Sequence, residues 1–340
     1  MMNPYPLVWV EIGRPIPRYL KRNMKLTSVL FPELDQFLVT KGKIWSFSKN
    51  HLKLIASYDS SKATKTFYSL ERDFKDRDRE FWLETTGRFF HLRDAMNSLG
   101  QQSYFHMESD VILLEFDAVN SVFNSALIDF VAYPMQSPNI GCASILIVKG
   151  GIALDKFVQF AISKWEIAGV SDMTLLGEFA NALETREMYL NLPSLFGPIR
   201  EEGNFIWDAG AIGPYFMGGD ARNRRIPVIK RGINSSLDLK GVLESSLWSF
   251  QGKNSVSFPH RLVLDGEFGV KNVLANVHIH SKQIPISPRK LRKFLNQSFM
   301  CRKNLRWRYV GIDWIVLMER TFDFLRRRIA RLERKVINLR

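Results

Sequence analysis

Short apolar runs alternate with helical patterns along the chain. Residues 7–12 and 35–40 are apolar stretches that predict strands, and residues 17–30 between them predict a helix that begins at a proline. Residues 103–107 and 143–148 predict two further strands, of which the second is apolar throughout, as buried strands are. This alternation predicts an α/β fold.

Three more helices and a last strand follow from the same patterns. Apolar residues recur near helical spacing over 81–99, and Gly100 is suited to end that helix. Residues 154–165 have helical spacing, and Ser171 is placed to cap a helix that starts at the next residue. Residues 273–280 predict the last strand.

Composition narrows the class of protein. The 340 residues are 46% hydrophobic and 24% charged, which excludes a disordered, collagen-like or low-complexity chain. The two cysteines, Cys142 and Cys301, are far apart, so neither a disulfide framework nor a CxxC metal knuckle is predicted. The sequence shows no signal-peptide pattern and no apolar stretch long enough to cross a membrane. We therefore expect a cytoplasmic protein.

Positive charge is concentrated at one end. Residues 289–340 hold 16 basic and 4 acidic residues, which is +12 of the net charge of +14. Domain boundaries are accordingly expected at 1–288 for the body and 289–340 for a basic, amphipathic helical tail. Such a tail suits an anionic surface, for example the cytoplasmic leaflet of a membrane.

The end of this tail carries a heptad pattern. Within 315–339 the apolar residues are spaced alternately by three and four, which is an a/d seam. They are Ile315, Met318, Phe322, Leu325, Ile329, Leu332, Val336 and Leu339. Three interpretations stay open: a homotypic coiled coil that forms an oligomer, packing against the protein's own body, and an interfacial helix on a membrane.

Two carboxylates follow the predicted strand 103–107. Glu108 and Asp110 are two positions apart, so on a strand both side chains point to the same side. Carboxylate oxygens at the end of a buried strand are ligands for a hard divalent cation. Such a cation can bridge a diphosphate and neutralise the charge that develops as it leaves.

Histidines and a lysine mark the end of the last predicted strand. His278 and His280 also share one side of a strand, and Lys282 follows them and can contact a phosphate oxygen. Two further carboxylates are candidates for general-base catalysis: Asp172 at a predicted helix start and Asp208 in the glycine-rich segment 204–223. That segment matches neither a GxGxxG nor a Walker A loop.

Taken in order, these segments resemble a bacterial nucleotide-sugar glycosyltransferase of the GT-A type over roughly residues 5–285. The resemblance rests on five features: an N-terminal α/β half in which the helix FWLETTGRFFHLRDAM leads to the triplet ESD, the strand ILIVKGG, the helix SDMTLLGEF, the segment WDAGAIGPYFMGGD and the terminus VHIHSK. It implies a Rossmann-like mixed sheet flanked by helices. The donor half is then about 1–115 and the acceptor half about 116–288.

The resemblance also implies a metal site. Asp110 becomes a ligand of Mn²⁺ or Mg²⁺ on the donor diphosphate, with Glu108 near the ribose or a metal-bound water. The family's triplet usually begins with aspartate, so Glu108 is a departure. His280 or His278 completes the metal shell, because a histidine near the end of the catalytic domain often does so in this family.

The remaining implied roles concern the donor and the acceptor. Arg88 and Lys282 are expected to contact the nucleotide-sugar donor, and Asp172 or Asp208 lies near a glycan or lipid-linked acceptor. In an inverting enzyme this acid deprotonates the acceptor hydroxyl, whereas a retaining enzyme needs no such base. Alternatives from other classes are a nucleic-acid-binding protein, a metal-dependent phosphohydrolase and a non-catalytic scaffold. Of these, nucleic-acid binding leaves the ESD and HIHSK motifs without a task, so no nucleic-acid partner is expected.

Overall fold

A computed structural model describes residues 5–12, 16–40, 52–55, 58–70, 79–165, 171–194, 205–210, 247–251, 261–265 and 271–279, together with residues 284, 287 and 290. The helices are α1 (Arg18–Leu30), α2 (Lys62–Ser69), α3 (Arg79–Ser98), α4 (Phe116–Phe123), α5 (Ile152–Lys164) and α6 (Asp172–Asn181). The strands are β1 (Leu7–Glu11), β2 (Gln36–Thr40), β3 (Leu52–Ile55), β4 (Tyr104–Met107), β5 (Val111–Leu113), β6 (Phe130–Ser137), β7 (Ile140–Gly141), β8 (Ile145–Lys149), β9 (Tyr189–Leu192), β10 (Phe205–Ile206), β11 (Leu247–Gln251), β12 (Arg261–Asp265), β13 (Lys271–Leu274) and β14 (Asn276–His278).

The main sheet is mixed. Its order is β3-β2-β1-β4-β8-β6-β7, and β9 pairs with β6. The first four strands in this order are parallel to one another, whereas β8 is antiparallel to both β4 and β6. The predicted α/β fold, a mixed sheet flanked by helices, is confirmed.

The strand order reverses beside β1. The chain passes from β1 outward through β2 to β3, and then returns to β4 on the other side of β1. Because β1 and β4 are parallel, their carboxyl ends open at the same edge of the sheet. Open α/β sheets bind ligands in the crevice at such a reversal. Glu108 is the first residue after β4.

The two faces of the sheet carry separate apolar layers. Successive residues of a strand point to opposite faces, so Val8 packs in one layer while Leu7 and Trp9 pack in the other. The first layer includes Phe89 of α3 and Phe157 of α5, which are both fully buried. The second layer is filled from α1 and α4. Burial on both faces explains why these strands are apolar throughout.

Local sequence signals set several boundaries. Ser171 caps α6 in a capping box, in which its hydroxyl accepts from Thr174 N while the Thr174 hydroxyl accepts from Ser171 N. Gly100 has a positive φ of 66° after α3, which glycine adopts without strain. Both signals were read correctly from the sequence.

The single strand predicted over 273–280 is wrong. Two strands occupy this region, with Ala275 between them: β13 pairs with β10 and β12, and β14 pairs with β5. The chain changes sheets at Ala275, whose N–H donates to Ile206 O and whose carbonyl accepts from Leu114 N. A continuous apolar run cannot reveal such a break, because both strands are buried.

Close packing of α6 against the β6–β7 turn gives a stability prediction. A Cβ atom at Gly177 would lie 2.0 Å from the Asn139 carbonyl oxygen, which is backbone and cannot rotate away. We expect Gly177→Ala to lower the free energy of unfolding by about 1–3 kcal/mol in urea denaturation, although alanine favours helices. Gly87→Ala is the matched control, with a smaller expected loss, because its Cβ would meet the hydroxyl end of the Tyr68 side chain, which can shift at the cost of its bond to His91. Equal losses in the two variants would contradict the prediction.

Within the described residues, no helix has the length and apolar character needed to span a membrane. All elements named above belong to the unit Met1–Arg292. The predicted tail, including the seam 315–339, lies outside the described residues except for Lys290.

Candidate active site

The acidic triplet forms a tight turn between β4 and β5. Val111 N donates to Glu108 O at 3.0 Å, which closes the turn, and Glu108 N donates to Ser144 O at 3.1 Å. The two acids therefore lie in the connection after β4. Their spacing had suggested a strand, and that prediction is wrong. Their carboxylates still converge, because the turn brings both toward the same third residue.

That third residue is His278. Its Nε2 lies 3.2 Å from Glu108 Oε2 and 3.3 Å from Asp110 Oδ1. The pairing of β14 with β5 sets His278 opposite Val111, next to the acidic turn. One ligand atom from each of the three side chains lies within 4.8 Å of the others, and both Asp110 and His278 are buried.

This donor set suits a divalent cation. Two carboxylates and one imidazole match Mn²⁺, and Mg²⁺ accepts the oxygen ligands while keeping its remaining positions for water or phosphate. Glu108, Asp110 and His278, called the triad below, are therefore the residues that can hold the metal. His280, the other predicted histidine ligand, lies outside the described residues, as does Lys282.

Arg88 connects the triad to α6. From α3 its guanidinium donates through Nη1 to Glu108 Oε1, and through Nη2 to Asp172 Oδ2 at 2.9 Å. Burial opposes ionisation of Glu108, but Arg88 and His278 outweigh it and lower the pKa of Glu108 to about 2. Glu108 is therefore ionised at neutral pH.

The two predicted bases have different surroundings. Asp172 is the first residue of α6, and burial raises the pKa of its carboxyl while Arg88 opposes that rise. Asp208 is fully buried, and its oxygens accept backbone N–H groups from His278 and from Gly210, each at 2.9 Å. Whether either acid acts as a base stays a prediction.

Three polar residues of the site were missed by sequence reasoning. Asn23 of α1 donates through Nδ2 to Ser109 O at 3.2 Å and to Val111 O at 2.6 Å. Ser144 and Asn276 bond to the backbone of Asp208. Each sits in an ordinary apolar pattern, and a polar residue on the buried face of such a pattern is the only signal that could have found them.

Among known proteins, no protein-family model matches the chain, and no curated protein matches its sequence. Solved structures do show similarity. The galactosyltransferase LgtC, in complex with donor and acceptor sugar analogues, is 11% identical with a TM-score of 0.39, over 90% of this chain and 99% of LgtC. The glycosyltransferase GlyE of Streptococcus pneumoniae TIGR4 is 12% identical with a TM-score of 0.34, over 55% of this chain and 45% of GlyE.

Mouse xyloside xylosyltransferase 1 is 10% identical with a TM-score of 0.36, over 56% of this chain and 85% of the mouse protein. All three carry the name of a glycosyltransferase, the class that the sequence resemblance implies. At this degree of similarity, the residues of the site have to carry any assignment of function.

Proposed function

We propose that the chain is a metal-dependent glycosyltransferase that moves a sugar from a nucleotide-diphosphate donor to a glycan or lipid-linked acceptor in cell-surface polysaccharide synthesis. The observation that carries the proposal is the convergence of Glu108, Asp110 and His278 within 4.8 Å, directly after β4. This position is the crevice beside the reversal of strand order, where α/β sheets bind nucleotides.

The charge of the site explains why a diphosphate needs a cation there. The carboxylates of Glu108, Asp110 and Asp172 outnumber the cations there, so the group repels a phosphate, and a bound Mn²⁺ or Mg²⁺ would remove that repulsion. The metal, when bound, stabilises the charge that develops on the departing nucleoside diphosphate. Lys282 is proposed to contact the same phosphates.

Arg88 of α3 is proposed to contact the donor, and Asp172 of α6 the acceptor. Arg88 holds Asp172 next to Glu108, so a sugar attached to the diphosphate lies within reach of both. In an inverting reaction, Asp172 accepts the proton of the acceptor hydroxyl as the new glycosidic bond forms. Burial raises the pKa of the Asp172 carboxyl, which makes it a stronger base than an exposed aspartate.

Nucleotide binding tests the proposal. We expect calorimetry to show that one of UDP, GDP and CDP binds in Mn²⁺ and fails to bind in EDTA. Asp110→Asn removes the negative charge of a proposed metal ligand and is expected to weaken nucleotide binding tenfold or more. Asp117→Asn, at an exposed position in the first turn of α4, is the matched control and should bind as wild type does.

Three results would count against the assignment. Nucleotide binding that persists in EDTA would contradict the metal site. Hydrolysis of a nucleotide sugar at the same rate with and without an acceptor would indicate a phosphohydrolase. If the folded protein binds none of these nucleotides, the donor-site assignment is wrong.

The basic tail is proposed to hold the enzyme at the anionic inner face of a membrane. With 16 basic and 4 acidic residues in 289–340, and about 1 kcal/mol for each Lys or Arg near an anionic surface, the attraction is large.

We expect the protein to cosediment with phosphatidylserine vesicles, to lose this binding in roughly 0.5 M salt, and not to bind neutral vesicles. A triple variant, Arg326→Glu, Arg327→Glu and Arg328→Glu, should bind these vesicles much more weakly. Vesicle binding unchanged in the variant, or a dimer that the vesicles do not dissociate, would favour a coiled coil through 315–339.

A further inference from the structure

The acidic turn is held from the side of α1. Asn23 is fully buried, and its Nδ2 donates to the carbonyl oxygens of Ser109 and Val111, which flank Asp110. A side-chain amide has two N–H donors, so one asparagine can bond to both carbonyls. These two bonds fix the backbone on either side of a triad residue.

The backbone of His278 is held by Asp208. Asp208 Oδ2 accepts from His278 N, and Asp208 Oδ1 accepts from Gly210 N, so both carboxylate oxygens bond to backbone. Asp208 is itself fixed, because its N–H donates to Asn276 Oδ1 at 2.8 Å. The carboxylate thus braces the backbone that presents the imidazole.

Ser144 connects the acidic turn to Asp208. Its carbonyl accepts from Glu108 N at 3.1 Å, while its hydroxyl donates to Asp208 O at 2.8 Å. Asp110 O also accepts from Ile279 N at 2.8 Å. The acidic turn and the histidine strand, distant in sequence, therefore share one buried hydrogen-bond network.

We propose that Asn23 and Asp208 are positioning residues for the metal site: Asn23 sets the place of the acidic turn, and Asp208 sets that of His278. The inference rests on the proposed function, because it assumes that the triad binds a divalent cation. It gives Asp208 a task other than deprotonating the acceptor. Partners that orient metal ligands commonly change metal affinity by 10–100-fold when they are lost.

The test is a Mn²⁺ titration of the full chain without nucleotide, followed by electron paramagnetic resonance. Asn23→Leu keeps a similar volume and removes both donors, and Asp208→Asn turns one acceptor oxygen into a donor that faces an N–H group. We expect each to raise the Kd for Mn²⁺ about 10–100-fold while one ion still binds per chain.

Gln36→Leu is the matched control for lost buried polarity. Gln36 is buried, and its amide bonds to Trp9, Met24 and Ser28, none of which is a triad residue. This variant should lower stability and leave the Kd unchanged. A merely structural role for Asn23 or Asp208 would likewise reduce the folded fraction, and so the number of sites, at constant Kd. Asn23→Gln, which retains the amide, should fold and raise the Kd by less than Asn23→Leu does.

Each failure has its own signature. Wild-type Kd values in Asn23→Leu and Asp208→Asn, with binding lost in Asp110→Asn, would overturn the positioning role and leave the metal site standing. Slower sugar transfer in Asp208→Asn at an unchanged Kd would overturn it for Asp208 and make that residue a base. Absence of Mn²⁺ binding by folded wild type would overturn the proposed function, and this inference with it.

Discussion

Replacing Arg88 by methionine is expected to lower the free energy of unfolding by about 3 kcal/mol, because the buried Asp172 and the partly buried Glu108 lose the cation they share. Arg88 contacts both Glu108 and Asp172, and the Asp172 side chain is only 6% exposed. Urea denaturation at pH 7, followed by tryptophan fluorescence, measures the loss. Donor binding should fall with it, since the variant no longer holds Asp172 beside the triad.

Two variants separate the cause. Arg88→Lys keeps the charge but cannot bond to both carboxylates in the same way, so we expect an intermediate loss. In Arg88→Met combined with Asp172→Asn, one of the uncompensated charges is absent, and part of the stability should return. A loss below 1 kcal/mol in Arg88→Met, or no recovery in the double variant, would show that the shared cation does not stabilise the fold.

The sequence predicted the central part of the sheet well. Buried strands such as β1 and β8 are apolar on both faces, and α6 begins at a capping box whose Ser171 is readable by eye. These elements are specified by local chemistry. The segment from β5 to β7 was not assigned, because its strands are bounded by pairing with distant parts of the chain, as β6 with β9 and β5 with β14.

The sequence predicted which residues form the candidate site better than it predicted how they are arranged. Glu108, Asp110 and His278 were named, but the choice between His278 and His280 could not be made from an alternating pattern, in which both share one side. The structure brings His278 to the carboxylates because β14 pairs with β5 in a register that sets His278 opposite Val111. β5 and β14 are far apart in sequence, so no connecting turn sets their register, and an alternating pattern alone does not show which residues will be opposite each other.

The network behind the triad shows a second limit. Asn23 lies on the buried face of α1 beside Leu20 and Met24, and its partners are carbonyl groups, which carry no side-chain signature. Sequence reasoning finds groups that do chemistry through side chains and overlooks those that act on backbone. Asp208 was named for its carboxylate, whereas its contacts are with N–H groups of His278 and Gly210.

Manganese affinity is expected to rise with pH between pH 6 and 7, by up to about tenfold for each pH unit, because a proton on His278 must leave before the metal binds. Burial lowers the pKa of His278, but Asp110 and Glu108 outweigh burial and raise it well above 6.5. We therefore expect the imidazole of the metal-free protein to carry a proton at neutral pH, where its Nε2 lies 3.2 Å from Glu108 Oε2 and 3.3 Å from Asp110 Oδ1. Glu108 stays ionised across this range and adds no slope.

In the absence of metal, the free energy of unfolding is expected to fall as pH rises, whereas the metal affinity is expected to rise. A histidine with a raised pKa in the folded state contributes stability that is complete below the unfolded value of about 6.5 and is lost as pH rises through the folded value. The metal-free protein should accordingly lose stability with rising pH above about 6.5, whereas saturating Mn²⁺ should stabilise it more as pH rises. The temperature of half-unfolding, scanned with EDTA and with Mn²⁺, shows both trends.

His278→Gln separates this coupling from general effects of pH. Glutamine offers an oxygen to the metal and carries no titrating proton, so Mn²⁺ should bind more weakly than to wild type at high pH, with a Kd that no longer depends on pH. The rise in stability with falling pH in EDTA should disappear as well. An unchanged slope in His278→Gln would mean that another group releases the proton, and a flat wild-type profile would mean that the histidine is not displaced from the two carboxylates when metal binds.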